Sequence, residues 1–245
     1  MPGFYDLQDK IKHHFVFKGS EIRALLITIF AAAFILSFRD WGGNLFNLST
    51  GLMNLANAFL IVGLALIVKI SVQKIYALHL GYKFEYKMWI YGLIASLILC
   101  FATNGYVFFL ALGGFIIAMM PGHRLGYFRY DINYYGIAVI ALMGPLANLG
   151  LALFFRMFSA IPNPLIHDAM VFNALIAAFS MIPLPPFDGS KIFFGSRSLY
   201  AFSAAGIVFI SAFMFFIESI PLLILSALIF AIIILAGYYF RYEFK

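Results

Sequence analysis

Charge is what this chain has least of. Asp, Glu, Lys and Arg together make up 11% of its 245 residues, against about 25% in a water-soluble globule. With 64% hydrophobic residues such a chain has too few charges to cover its surface in water. Lipid is therefore the solvent for most of its length. Disorder and a coiled coil are excluded by the same numbers. Cysteine is nearly absent as well. Cys100 is the single one, so an internal disulfide and a Cys-based zinc site are both excluded. Acids are scarcer than bases, 10 against 16, a formal charge of +6. In a membrane chain this surplus is not a nucleic-acid signal, because basic residues mark the cytoplasmic side. There is no internal repeat and no separate soluble domain.

What is present is a series of apolar runs. Residues 1–23 are polar and mixed in charge. Phe4, Leu7, Ile11 and Phe15 share one helical face there, so an interfacial helix and a solvated terminus both fit. Ala24–Phe38 follows. Its 23-residue leader holds three of the ten acids, which favours a first transmembrane helix over a signal peptide. Further spans are read at Leu52 to about Leu80, Tyr134 to about Phe155, Ile166–Ile182, Leu199–Ile217 and Ile220–Phe240. Tyr82–Lys87 alternates apolar and polar residues strictly and reads as a short surface strand. Met88–Phe101 and Tyr106–Met120 are apolar but short, with an Asn104-Gly105 turn signal between them. They read as a tight hairpin or a re-entrant pair. The expected fold is an all-α polytopic membrane protein of about six transmembrane helices with a short hydrophobic hairpin or re-entrant/β segment. Residues 24–240 form one integral membrane domain, and 241–245 a tail.

The basic residues orient it. With the N-terminus inside, Lys10, Lys12, Lys18, Lys83, Lys87, Arg124, Arg129, Lys191, Arg197, Arg241 and Lys245 are cytoplasmic. Arg39 and Arg156 fall outside. Both termini are expected in the cytoplasm.

Polar groups within apolar runs are costly and are the first functional candidates. Gly144-Pro145-Leu-Ala-Asn148 interrupts a span: Gly-Pro kinks a helix and frees backbone groups, and Asn148 is available to satisfy them or a neighbouring chain, or simply sits hydrogen-bonded beside a structural kink. Ser180-Met-Ile-Pro183-Leu-Pro185-Pro186-Phe-Asp188-Gly189 removes three backbone donors. It is expected to hold Asp188 at the end of a rigid extended arm, or in a solvated Asp-Gly turn. Lys69-Ile70-Ser71-Val72-Gln73-Lys74 puts Lys69 and Gln73 on one helix face. The lysines there also suit snorkelling at a cytoplasmic helix end.

Together these clusters resemble the site-2 protease family of intramembrane zinc metalloproteases in its compact archaeal-like form. The match rests on Gly144-Pro145-Leu-Ala-Asn148, on Asn173-Ala-Leu-Ile-Ala and on the Pro-rich motif ending in Asp188-Gly189. Leu80-Gly81-Tyr82 and Glu85-Tyr-Lys-Met88-Trp89 resemble the stretch after the family's catalytic helix. The resemblance covers about residues 18–200 and implies a prokaryotic cell membrane. It also implies an H-E-x-x-H helix whose two histidines bind zinc and whose glutamate activates water, with the motif aspartate as third ligand.

Asp188 matches that aspartate. The helix motif falls where this chain reads Lys69-Ile-Ser-Val-Gln73, without either histidine or the glutamate, and the Asn that opens the Pro-rich motif is Ser180. No two of His13, His14, His79, His123 and His167 are four apart. Lys69, Ile70, Gln73 and Asp188 are thus expected to form a degenerate site with no catalytic residue, no metal and no cofactor. Lys69 is expected to pair with Asp188 where the metal would be, with Gln73 donating to the same carboxylate. In the competing arrangement Lys69 snorkels away and Asp188 is solvated.

Three functions compete. The first is an inactive relative that binds a transmembrane helix or strand of a client, or serves as a scaffold of a membrane complex, with Tyr82–Lys87 receiving a strand. The second is an active zinc protease with an atypical site. The third is a small transporter using Asn54, Asn57, Asn148, Asn173 and Ser180. The expected partners are the lipid bilayer and a membrane protein, not nucleic acid.

Overall fold

The computed structural model describes residues 4–42, 46–107, 109–120 and 133–242. Arg124, Arg129 and Lys245, three of the basic residues used for orientation, lie outside them. In chain order the elements are α1 (Phe4–His14), α2 (Gly19–Leu36), α3 (Leu48–His79), β1 (Tyr82–Met88), α4 (Ile90–Ala102) and β2 (Gly113–Met119). They continue with α5 (Tyr134–Met157), α6 (Pro164–Ser180), α7 (Asp188–Gly195), α8 (Arg197–Phe213) and α9 (Ile220–Tyr242).

Short polar residues start the long helices. Asn47 accepts from the backbone N–H groups of Ser49 and Thr50 to open α3. Asn133 caps α5 through Gly136, and Asn163 caps α6 ahead of Pro164. Each cap satisfies donors that a helix start leaves open. Gly81, at φ +82°, turns the chain out of α3 into β1, a conformation that glycine adopts without strain.

Among the described residues four helices, α2, α3, α5 and α9, are long and apolar enough to cross a membrane. The expected spans over 166–182 and 199–217 are helical, but α6 and α8 have 17 residues each. At about 1.5 Å per residue they reach about 25 Å, short of the ~30 Å hydrocarbon core. The run over 106–120 is not a second apolar helix. Its latter half is β2, antiparallel to β1 with Tyr82 opposite Met119 and Met88 opposite Gly113. Only the first half of the expected pair is helical, as α4.

The strict alternation of β1 decides its faces. Tyr82, Phe84 and Tyr86 are buried, and Phe84 stacks on Phe115 of β2 at 4.7 Å. Lys83 and Lys87 face outward. α3 is the central element, packed against α2, α5, β1 and α6. α9 packs on α8 and leaves most of its apolar surface exposed, as a lipid-facing helix does.

Among the described residues the sheet has one open edge. Trp89 N–H bonds Leu112 O, and Met120 N–H bonds Gly81 O. With the antiparallel register, the even-numbered residues of β2 face β1. Gly113, Phe115, Ile117 and Met119 therefore turn their backbone groups away from β1. Among the described residues no strand pairs there. The far side of β1 is occupied, because Glu21 accepts from Tyr86 N–H at 3.0 Å.

Candidate functional site

Lys69 and Gln73 lie one turn apart on the face of α3 that meets α5. The helices approach closely because residue 144 is glycine. A Cβ there would collide with the Gln73 amide and lie 3.0 Å from Lys69 Cε. The next residue, Pro145, has no N–H, so the Ala141 carbonyl four residues earlier loses its helical donor. Gln73 Nε2 fills the vacancy at 3.1 Å. Asn148 was one candidate for that task from the sequence. Instead Asn148 is fully buried, and neither side-chain polar atom has a partner among the described residues. Asn173 is also fully buried; it donates to Ala169 O at 2.8 Å, and its own oxygen has no partner among the described residues.

The Pro-rich segment is a turn rather than an extended arm. Phe187 N–H bonds Leu184 O at 2.9 Å, and Asp188 is the first residue of α7. Pro183 and Pro185 are exposed. Pro186 sits under β2, where its carbonyl and Cβ occupy the place a Gly114 side chain would need. Gly189 lies so close to the Met181 and Ile182 carbonyls that a Cβ would clash with both. The two glycines and Pro186 thus clamp the turn between α6 and the sheet.

That turn carries Asp188 inward until it is only 3% exposed. Lys69 Nζ lies 2.8 Å from Oδ2, an ion pair, and Gln73 Nε2 donates to Oδ1 at 3.1 Å. Lys69 also donates to Ser180 Oγ at 2.8 Å. Lys69, Gln73 and Ser180 thus converge around Asp188. Ile70, between Lys69 and Gln73 on α3, is 1% exposed and packs in the core. A cavity of about 20 Å³ remains between Lys69, Gln73, Tyr86, Gly113 and Asp188, room for about one water.

Neither lysine of the α3 cluster snorkels. Lys74 is 3% exposed and pairs with Glu21 at 2.8 Å. It also donates to Val16 O at 2.9 Å and lies 4.0 Å from the centre of the Phe17 ring. This second buried pair ties the N-terminal segment to α3 and β1. The Lys69–Asp188 contact is the pair expected from the resemblance; the Lys74–Glu21 match was not legible from the spacing. Nor was the part played by β2, for which adjacent Gly113-Gly114 was the available signal.

The site does not suit zinc. A zinc centre takes at least three neutral or anionic N, S or O donors. Here one carboxylate has both oxygens engaged, and its nearest neighbour is a cation that repels a divalent ion. Among the described residues no group of three or more His, Cys, Asp and Glu is placed to hold a metal.

No family model matches the chain, and no solved structure matches it. Over 184 residues it is 31% identical to a protein of Methanocaldococcus jannaschii named "Putative zinc metalloprotease", covering 73% of this chain and 85% of the relative. With that identity over most of both chains, the chain belongs to the site-2-protease-like family of zinc metalloproteases.

Proposed function

We propose that this chain is a non-proteolytic member of its family, integral to a prokaryotic cell membrane, that binds an apolar segment of another membrane protein. The observation that carries the reading is the Lys69–Asp188 contact of 2.8 Å. An ammonium stands where the family pattern calls for a metal ligand, and it neutralises the carboxylate that would otherwise be buried alone. Gln73 and Ser180 complete its hydrogen bonds, so the replacement is a satisfied network. Proteolysis needs the metal and its activated water; holding a segment needs only the surrounding helices and sheet.

The receiving element is the outer edge of β2. A strand laid there would bond the backbone groups of Gly113, Phe115, Ile117 and Met119. Tyr82–Lys87, the strand singled out from sequence, lies between β2 and Glu21 and has no such edge. α6 and α8 serve as short additional crossings, and both termini face the cytoplasm.

The test is the zinc content and proteolytic activity of detergent-purified protein, with Asp188→Ala as control. The expected result is far less than one zinc per chain, unchanged in the variant, and no chelator-sensitive cleavage of a membrane substrate. One zinc per chain that disappears with Asp188→Ala, together with such cleavage, would return the active-protease reading to first place. Solute flux in vesicles would favour the transporter.

A further inference from the structure

A second lysine reaches the neighbourhood of Asp188. Lys191 lies one turn along α7. Its ammonium donates to Pro186 O at 3.1 Å and lies 4.5 Å from the centre of the Phe115 ring. It is half-buried against β2, where the missing side chain of Gly114 leaves it room. A Cβ at that glycine would stand 3.3 Å from Nζ.

No described carboxylate pairs with Lys191. Glu21 is held by Lys74, Glu85 by Lys18 and Lys87, and Asp188 by Lys69. The second oxygen of Asp188 is occupied by Gln73. Two ammonium groups therefore share the field of one carboxylate, and the surplus positive charge lies in a weakly polarisable wall. One carbonyl and the face of an aromatic ring offset only part of its lost hydration. Phe115, whose ring covers Lys191, is also one of the residues that turn backbone groups to the open edge of β2.

We infer that Lys191 is the docking point for a carboxylate side chain carried by the client: an apolar strand with one acidic residue, laid along the open edge of β2 so that the acid meets the surplus ammonium. The inference rests on the segment-binding reading above and adds the chemistry of the segment. A neutral strand gains only the backbone bonds. An acidic one also gains an ion pair that no described carboxylate of the free protein supplies, and a basic one is repelled.

The experiment uses the full-length protein in detergent and fluorescent, C-terminally amidated apolar strand peptides. Each carries a single Glu, moved through the central positions in turn, and each has a Gln counterpart. At the matching register the Glu peptide is expected to bind at least about tenfold tighter than its Gln twin. Lys191→Met should abolish the difference while leaving the Gln peptide's affinity unchanged, and Lys191→Arg should keep it. The wild-type comparison stands even if Lys191→Met does not fold. Equal binding of Glu and Gln peptides at every register, or a Glu preference that survives Lys191→Met, overturns the inference and leaves segment binding intact. Absence of binding by every peptide overturns both.

Discussion

Gln73 donates to the carbonyl of Ala141, the acceptor that Pro145 deprives of its helical N–H. One side chain of α3 thus closes the gap that Gly144-Pro145 opens in α5. The same amide also reaches Asp188. The helix break and the acidic site are therefore parts of one arrangement.

Gln73→Leu leaves the Ala141 carbonyl and one Asp188 oxygen without this donor inside the protein. A loss of about 1–3 kcal/mol per stranded group is expected, read as a lower melting temperature in detergent. Adding Pro145→Ala restores the backbone donor to Ala141. The double variant should recover part of the loss. Equal stability of the single and double variants would refute the assignment.

Lys69→Met strands a buried carboxylate. A cost of about 3–5 kcal/mol is expected for breaking such a pair from one side. The double variant Lys69→Met/Asp188→Leu removes both charges and should be less costly than the single. Were Lys69 only snorkelling, both lysine variants would melt near the wild type.

Two glycines of α5 separate a packing role from a propensity role. Gly144→Ala drives a methyl into Gln73 and Lys69 and should lose about 1–3 kcal/mol. Gly150→Ala meets nothing within 4 Å and should be neutral or gain up to about 1 kcal/mol. Matched thermal melts in one detergent compare them.

Acid should loosen the junction between the N-terminal segment and β1. Hydrogen bonds from Lys18 and then Lys87 hold the Glu85 carboxyl down from 4.5 to about 2. A carboxylate depressed in the folded state contributes its stability above its unfolded value and loses it as pH falls through the folded one. The loss is therefore expected between about pH 4.5 and 2. It should be small and salt-sensitive because the group is exposed. Amide exchange at residues 15–18 and 83–87 should rise over that window in the wild type and stay flat in Glu85→Gln.

The amino-acid sequence by itself determined the solvent, most helices, β1 and the polar motifs from which a site was expected. Each follows from local pattern: an apolar run has one compatible solvent, strict alternation has one compatible backbone, and Gly144-Pro145 and the Pro-rich turn announce themselves wherever they stand. The position of Asp188, solvated or paired, was not a local matter. It depended on how α6, its turn and α7 return to α3, which brings residues 69 and 188 to 2.8 Å. The run that holds β2 was left open by the sequence because a short buried strand and a short apolar helix look alike in composition, and only pairing with β1 chose between them. Lys74 was misread for the same reason. A lysine at a helix end snorkels if water is the nearest polar partner, and here Glu21, brought by α2, was nearer. Long-range pairing decides such cases because a buried charge takes whatever partner the fold delivers.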